Sequence, residues 1–298
     1  MCVPGTNCTP SLGRSFPAME HETRIENRLL AALPQADLDL LAPHFRKVTL
    51  KRDAVLARSG DLIEQIYFPS SGLVAHIMDM PNGQTVATAI VGREGAVGIL
   101  SALGPARSPM TMVVRVAGTA LQLSPARFHA ALEHSHALKA AVNRLNRALI
   151  VQLQHVAACN ALHSVEARLA HWLLHIHDRT ESDMLPLTQE TLSELLGVRR
   201  TTVTHVVSKL RATGAIRSNR RSSIEIDRPR LEAAACECYE LMRSRIDRIV
   251  STHEMTPHRH SWPAHERPRT PTPLPTAENG VQHRARPHGG TAHRARHR

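Results

Sequence analysis

Aromatic side chains supply only 3% of the 298 residues, so the cores must be built from Leu, Val, Ile and Ala. No apolar run approaches the roughly 18–20 residues needed to span a bilayer, and no membrane partner is expected. The opening "MCVPGTNCTPSLGRSFPAME" lacks the charged-then-apolar order of a secretory signal. Cysteine is scarce and odd in number, at five. That argues against a disulfide framework and suits a reducing, cytoplasmic setting. Acidic residues are in deficit as well: 26 Asp and Glu face 37 Lys and Arg, a formal net charge of +11. An excess of that size implies a polyanionic partner.

The 42% hydrophobic content is that of a globular chain, and the length suffices for two modest domains. Residues 1–22, rich in Pro, Gly, Ser and Thr, read as a flexible arm. Ile25, Leu29, Leu30 and Leu33 then recur at helical spacing up to Pro34. From 48 to 124 the chain becomes a series of short β segments separated by turn signals, among them Pro81-Asn82-Gly83. Many short strands at this spacing predict a sandwich, roll or barrel. Residues 125–160 contain no Gly or Pro after Pro125 and predict continuous helix. Val142, Leu145, Leu149, Gln152, Val156 and Cys159 follow alternating three- and four-residue steps, the seam of a paired helix, the alternative being a stripe that packs on its own domain. Leu138, Ile150 and Leu153 give that helix a second apolar side.

The segment "LTQETLSELLGVRRTTVTHVVSKLRATGAI" (187–216) has two apolar stripes separated by a compact break. Leu192, Leu195 and Leu196 face inward on the first helix, and Val203, Val206, Val207 and Leu210 on the second. Gly197 stands at the turn, where positive φ is needed. The outward residues Arg199, Arg200, Thr201, Thr204, His205 and Lys209 are short or basic, with no carboxylate among them. Such a face suits insertion into the DNA major groove, where an Arg can bind guanine in bidentate fashion. The hairpin that follows carries Arg217, Arg220 and Arg221, suited to the phosphate backbone. The expected partner is double-stranded DNA.

The order of a β-rich domain, a long helix and a winged helix-turn-helix resembles the Crp/Fnr superfamily of bacterial transcription regulators over about residues 25–250. "IYFPSSGLV", the Val142–Cys159 helix, "SVEARLAHWLLHIHDR" and the 187–216 segment carry the likeness. After the arm over 1–22, it implies an α+β chain with a cyclic-nucleotide-binding-like β-roll over 23–132, a dimerisation helix over 133–160 and a winged helix-turn-helix over 161–250. Composition alone makes 251–298 a disordered basic tail. The resemblance further implies a homodimer on a palindromic site, and RNA polymerase as a further partner. In the family the recognition helix reads Ser-Arg-x-Thr-Val-x-Arg; Arg200 matches the guanine-reading Arg, whereas Thr201 and His205 stand where many members carry Glu and a second Arg.

The sensor half departs from nucleotide-binding members. Their Gly-Glu step for the ribose is Gly98-Ile99 here, and Arg107-Ser108-Pro109 only imitates the phosphate-binding Arg-Ser-Ala. Gly98, Arg107 and Ser108 are the candidate effector pocket, with the effector itself left open. Neither cofactor nor metal is expected. Cys2 and Cys8 lie on the arm, Cys159 in the helix, and Cys236-Glu237-Cys238 spaces its thiols closer than common zinc motifs. The roll offers one histidine, His76, expected to be an exposed strand residue, and no His/Glu cluster for catalysis. The competing function is non-specific coating of nucleic acid by the tail, which holds eight Arg, eight His and three Glu.

Overall fold

The computed structural model describes residues 25–103, 107–180, 182–219 and 223–251. The predicted arm, Arg220, Arg221 and the tail beyond Ser251 lie outside them. The chain begins with α1 (Arg28–Ala31), shorter than the apolar spacing predicts, and α2 (Gln35–Leu41). Asn27 explains the short first helix: its Oδ1 caps the Leu30 amide (3.1 Å), while its Nδ2 donates to the carbonyls of Pro69 and Gly95 (3.0 and 2.9 Å). A buried amide with three partners pins the chain there.

The roll follows as β1 (Arg46–Leu50), β2 (Val55–Ala57), β3 (Ile66–Pro69), β4 (Leu73–Asp79), β5 (Thr85–Val91), β6 (Thr111–Val116) and β7 (Gly118–Leu123). Two antiparallel sheets result, ordered β1-β7-β3 and β2-β6-β4-β5. At the β4–β5 turn only Gly83 has positive φ (+78°). Asn82 instead uses its side chain, accepting from the Gln84 amide (3.0 Å).

The predicted continuous helix over 125–160 is two helices, α3 (Pro125–His134) and α4 (His136–Leu162). Ser135 breaks it with extended backbone and caps α4, its Oγ accepting from the Leu138 amide (2.8 Å). A cap of this kind contributes about 1 kcal/mol and needs neither Gly nor Pro. At 27 residues, α4 spans about 40 Å.

The predicted seam needs correction. Val142 and Leu145 are buried in the chain's own core with Leu30, Phe68, Phe128 and Leu138. Val156 packs in a second core with Leu169 and Trp172; Gln152 is buried, and Leu149 is half-buried against the roll. The three-four stripe is spent inside the chain. On its other side α4 leaves Ile150 and Leu153 exposed, and at its end Leu162.

The last part comprises α5 (Val165–Thr180), β8 (Met184–Leu185), α6 (Gln189–Leu196), α7 (Arg200–Ala212), β9 (Ile216–Asn219), β10 (Ser223–Ile226), α8 (Arg228–Ala234) and α9 (Cys238–Ser251). The three strands form a small sheet ordered β8-β10-β9. The sequence predicts one closing helix after the hairpin; the structure has two, parted at Ala235–Glu237, and α9 lies against α4. The core of Trp172, Leu196, Val203 and Leu210 continues into Leu73, Ile77 and Ile90 of the roll. Two arginines tie that junction together. Buried Arg115 of β6 reaches Asp53 (3.2 Å) and Glu194 of α6, and Arg179 of α5 donates to Glu94 (2.7 Å).

Candidate nucleic-acid interface

Thr188 opens α6, its hydroxyl accepting from the Thr191 amide (3.1 Å). Gly197 ends it in the left-handed region (φ 64°, ψ 37°), and a Cβ there would also stand 3.1 Å from Val86. An L side chain at this position strains the turn and crowds β5 at once. Arg199 forms the N-cap of α7 and Arg200 its first residue. Val203, Val206, Val207 and Leu210 are buried, as the stripe predicts.

The other side of α7 faces outward. Arg199, Arg200, Thr204, His205 and Lys209 are all exposed, as is Thr201, and Arg217 is exposed on β9. The structure thus brings together the predicted helix residues and one of the three hairpin arginines. Three of these cations rest on carboxylates: Arg200 on Glu190 (2.7 Å), Lys209 on Glu166 (3.4 Å) and Arg217 on Glu225 (3.6 Å). Exposed pairs of this kind are weak, so a phosphate or a guanine edge can displace the carboxylate. Thr204 donates to Gln189 Oε1 and to the Arg200 carbonyl, both at 3.0 Å. Gln189 and Glu190 of α6 are therefore in contact with the exposed face of α7, although the sequence stripe does not single them out.

In the roll, a cavity of about 180 Å³ lies between the strands and α4. Gly98 and Ser108 line it, with Ile99, Met112, Leu149 and Leu153. Arg107 does not: it is exposed and donates to the Gly60 carbonyl (2.8 Å). Of the predicted effector residues, two of three reach the cavity. His76 corrects its expectation, being buried on the cavity wall rather than exposed, because the pleat aims it inward. Burial lowers its pKa to about 4. His76 Nε2 and Asn146 Oδ1, both from residues lining the cavity, have no hydrogen-bond partner among the described residues. Sequence spacing does not pair them, since they are brought together only by α4 crossing the sheet.

The fold also bears on the expected absence of a metal site. It gathers Cys159, His163, Cys236 and Cys238, with their ligand atoms within 4.8 Å of one another. The one local signal for this cluster is the i, i+4 spacing of Cys159 and His163.

A family model described as the Crp-like helix-turn-helix domain matches residues 167–234. A second, the cyclic nucleotide-binding domain, matches residues 47–135. Among solved structures, FixK2 from Bradyrhizobium japonicum is similar at TM-score 0.56 and 15% identity, covering 64% of this chain and 98% of that one. The c-di-GMP-responsive regulator CLP of Xanthomonas campestris is similar at TM-score 0.55 and 16% identity, covering 65% and 99%. A Thermus thermophilus CRP-family regulator, TTHB099, is similar at TM-score 0.54 and 21% identity, covering 63% and 96%. Comparison with curated proteins gave no match.

Proposed function

Because the chain belongs to the Crp/Fnr superfamily of transcription regulators, we propose that it reads a two-fold symmetric DNA site as a homodimer, with α7 in the major groove. The observation that carries this is the exposed, carboxylate-free face of α7 with Arg200 in its first turn. Residues near the N-terminus of such a helix reach base edges, whereas Arg217 on the hairpin suits phosphates. Ile150 and Leu153, exposed apolar residues midway along α4, supply the contact with the second copy. Half-sites then lie about one helical turn apart, roughly 34 Å.

Binding-site selection tests this reading. Wild type should yield a palindrome, and Arg200→Ala should lose about 1–3 kcal/mol and relax preference at one base pair per half-site. An unchanged motif would remove Arg200 from base reading. Selection that enriches nothing would favour the non-specific coating alternative.

The cavity beside α4 is the place for an effector, because a ligand there touches the helix that carries the dimer contact. Its walls favour a small apolar molecule with one or two polar atoms for His76 and Asn146. A cyclic nucleotide does not fit that description. Ile99 offers the ribose no carboxylate, Arg107 points elsewhere, and Pro109 has no amide to give a phosphate. Cyclic AMP and cyclic GMP should therefore give no heat on titration and leave DNA affinity unchanged, since a ligand shifts an equilibrium only by its differential affinity. Micromolar binding by calorimetry would reinstate Arg107 and Ser108 as a phosphate site.

A further inference from the structure

We infer that Cys159, His163, Cys236 and Cys238 form a tetrahedral zinc site that fastens the end of α4 to the start of α9. The four side chains come from two places. Cys159 occupies the last turn of α4 and His163 its C-cap, one helical turn apart. Cys236 and Cys238 sit on either side of Glu237, where the chain turns between α8 and α9. That turn is the break which the sequence alone does not reveal, and it is what aims two thiols at one point.

Two of the ligand-to-ligand distances already match one ion, and the remaining ones, within 4.8 Å, close on it with small side-chain rotations. Cys159 Sγ and Cys236 Sγ are 3.5 Å apart, and Cys238 Sγ is 3.6 Å from His163 Nδ1. Zinc bonds of about 2.3 Å to sulfur and 2.0–2.1 Å to nitrogen, arranged tetrahedrally, require edges of about 3.5–3.8 Å. The three cysteines are free and buried. Three thiols and an imidazole complete the shell without an open position, the arrangement of a structural rather than a catalytic zinc.

The surroundings are those of a metal site as well. His163 Nε2 stands 3.1 Å from Glu237 Oε1. A proton on Nε2 donated to that carboxylate leaves the Nδ1 lone pair for the ion and fixes the ring, the usual outer partner of a zinc-bound histidine. His171 Nδ1 lies 3.9 Å from Cys236 Sγ. Arg168 is buried close enough to Cys159 and Cys236 to interact with their charge, and its Nε has no hydrogen-bond partner among the described residues. Zinc with three thiolates and one neutral imidazole carries a net charge of −1, which the Arg168 guanidinium offsets. Arg168 also donates to the Leu196 carbonyl at the end of α6 (2.6 Å), which ties the cluster to the helix-turn-helix.

Metal analysis and cobalt substitution of the full chain test the inference without reference to DNA. Zinc should copurify at one ion per chain. Cobalt loaded in its place should show thiolate-to-cobalt charge-transfer bands and strong tetrahedral d–d absorption. The tail cannot produce the charge-transfer bands, because residues 252–298 contain eight His but no Cys. Cys236→Ser should abolish them, and Glu237→Gln should keep the bands while weakening zinc affinity roughly 10–100-fold. Hydrogen exchange of α9 should quicken when zinc is stripped, since α9 then loses its tether to α4. A folded wild-type chain that retains no zinc and gives only weak six-coordinate cobalt bands would overturn the site. So would an iron–sulfur chromophore, or a Cys159–Cys236 disulfide in the native protein.

Discussion

A chain carrying Ile150→Asp with Leu153→Asp is expected to remain folded, sediment as a monomer and bind a two-fold site roughly 10²–10⁴-fold more weakly. The magnitude follows from the lost linkage of two half-site contacts, which normally gives the second contact a high effective concentration. Folding should survive because both side chains are already exposed, at 54% and 44%. The contrasting variant is Val142→Asp with Leu149→Asp, on the side of α4 that the heptad stripe picks out. Val142 is only 4% exposed and packs with Phe68 and Phe128, so a carboxylate there must be buried unpaired. Its cost is ~4 kcal/mol or more, and the melting temperature should fall rather than the oligomeric state alone. Sedimentation and melting of the two variants separate the faces. A stable dimer with full DNA affinity in the Ile150/Leu153 variant would refute the assignment.

Three-four spacing identifies a continuous apolar stripe, but a stripe carries no label for what covers it. On α4 the more regular stripe meets the chain's own roll and α9, and the shorter one, Ile150 with Leu153, is left outside. The second apolar side is visible in the sequence; its role is not. The break at Ser135 is hidden for a related reason. A side-chain cap and a turn of extended backbone end a helix without any Gly or Pro to mark it.

The helix-turn-helix is readable because its signals are local. Gly197 sits between two stripes, and its positive φ and the burial of Val203, Val206, Val207 and Leu210 depend on residues close in sequence. The metal-type cluster and the cavity wall are non-local. Cys159 and Cys236 are 77 residues apart, and no spacing rule connects them. The one-residue gap in Cys236-Glu237-Cys238 argues against zinc only when both pairs must come from short loops. Here the other pair comes from one helical turn. His76 defeats the exposed-strand expectation because alternation gives two faces, and both faces of β4 are buried, one by the helix-turn-helix and one by the cavity.

The burial of His76 predicts a loss of stability in mild acid. No partner among the described residues meets its Nε2, and desolvation lowers its folded pKa from 6.5 to about 4. The unfolded chain therefore binds more protons than the folded one between those values. Stability from the neutral ring is complete above about pH 6.5 and is lost as pH falls toward 4. From pH 7 to pH 5 the expected loss is about 2 kcal/mol, since one extra proton on the unfolded chain costs about 1.4 kcal/mol per pH unit across that window. His175 acts in the same direction, since burial and then Arg179 hold its pKa well below the ordinary value. Replacing His76 by Leu removes its titration while keeping an apolar side chain in an apolar wall. Denaturant unfolding at pH 7 and pH 5 should then show the wild type losing about 2 kcal/mol more than His76→Leu across that interval. Equal losses would mean that His76 reaches water in the folded chain and titrates there as it does in the unfolded one.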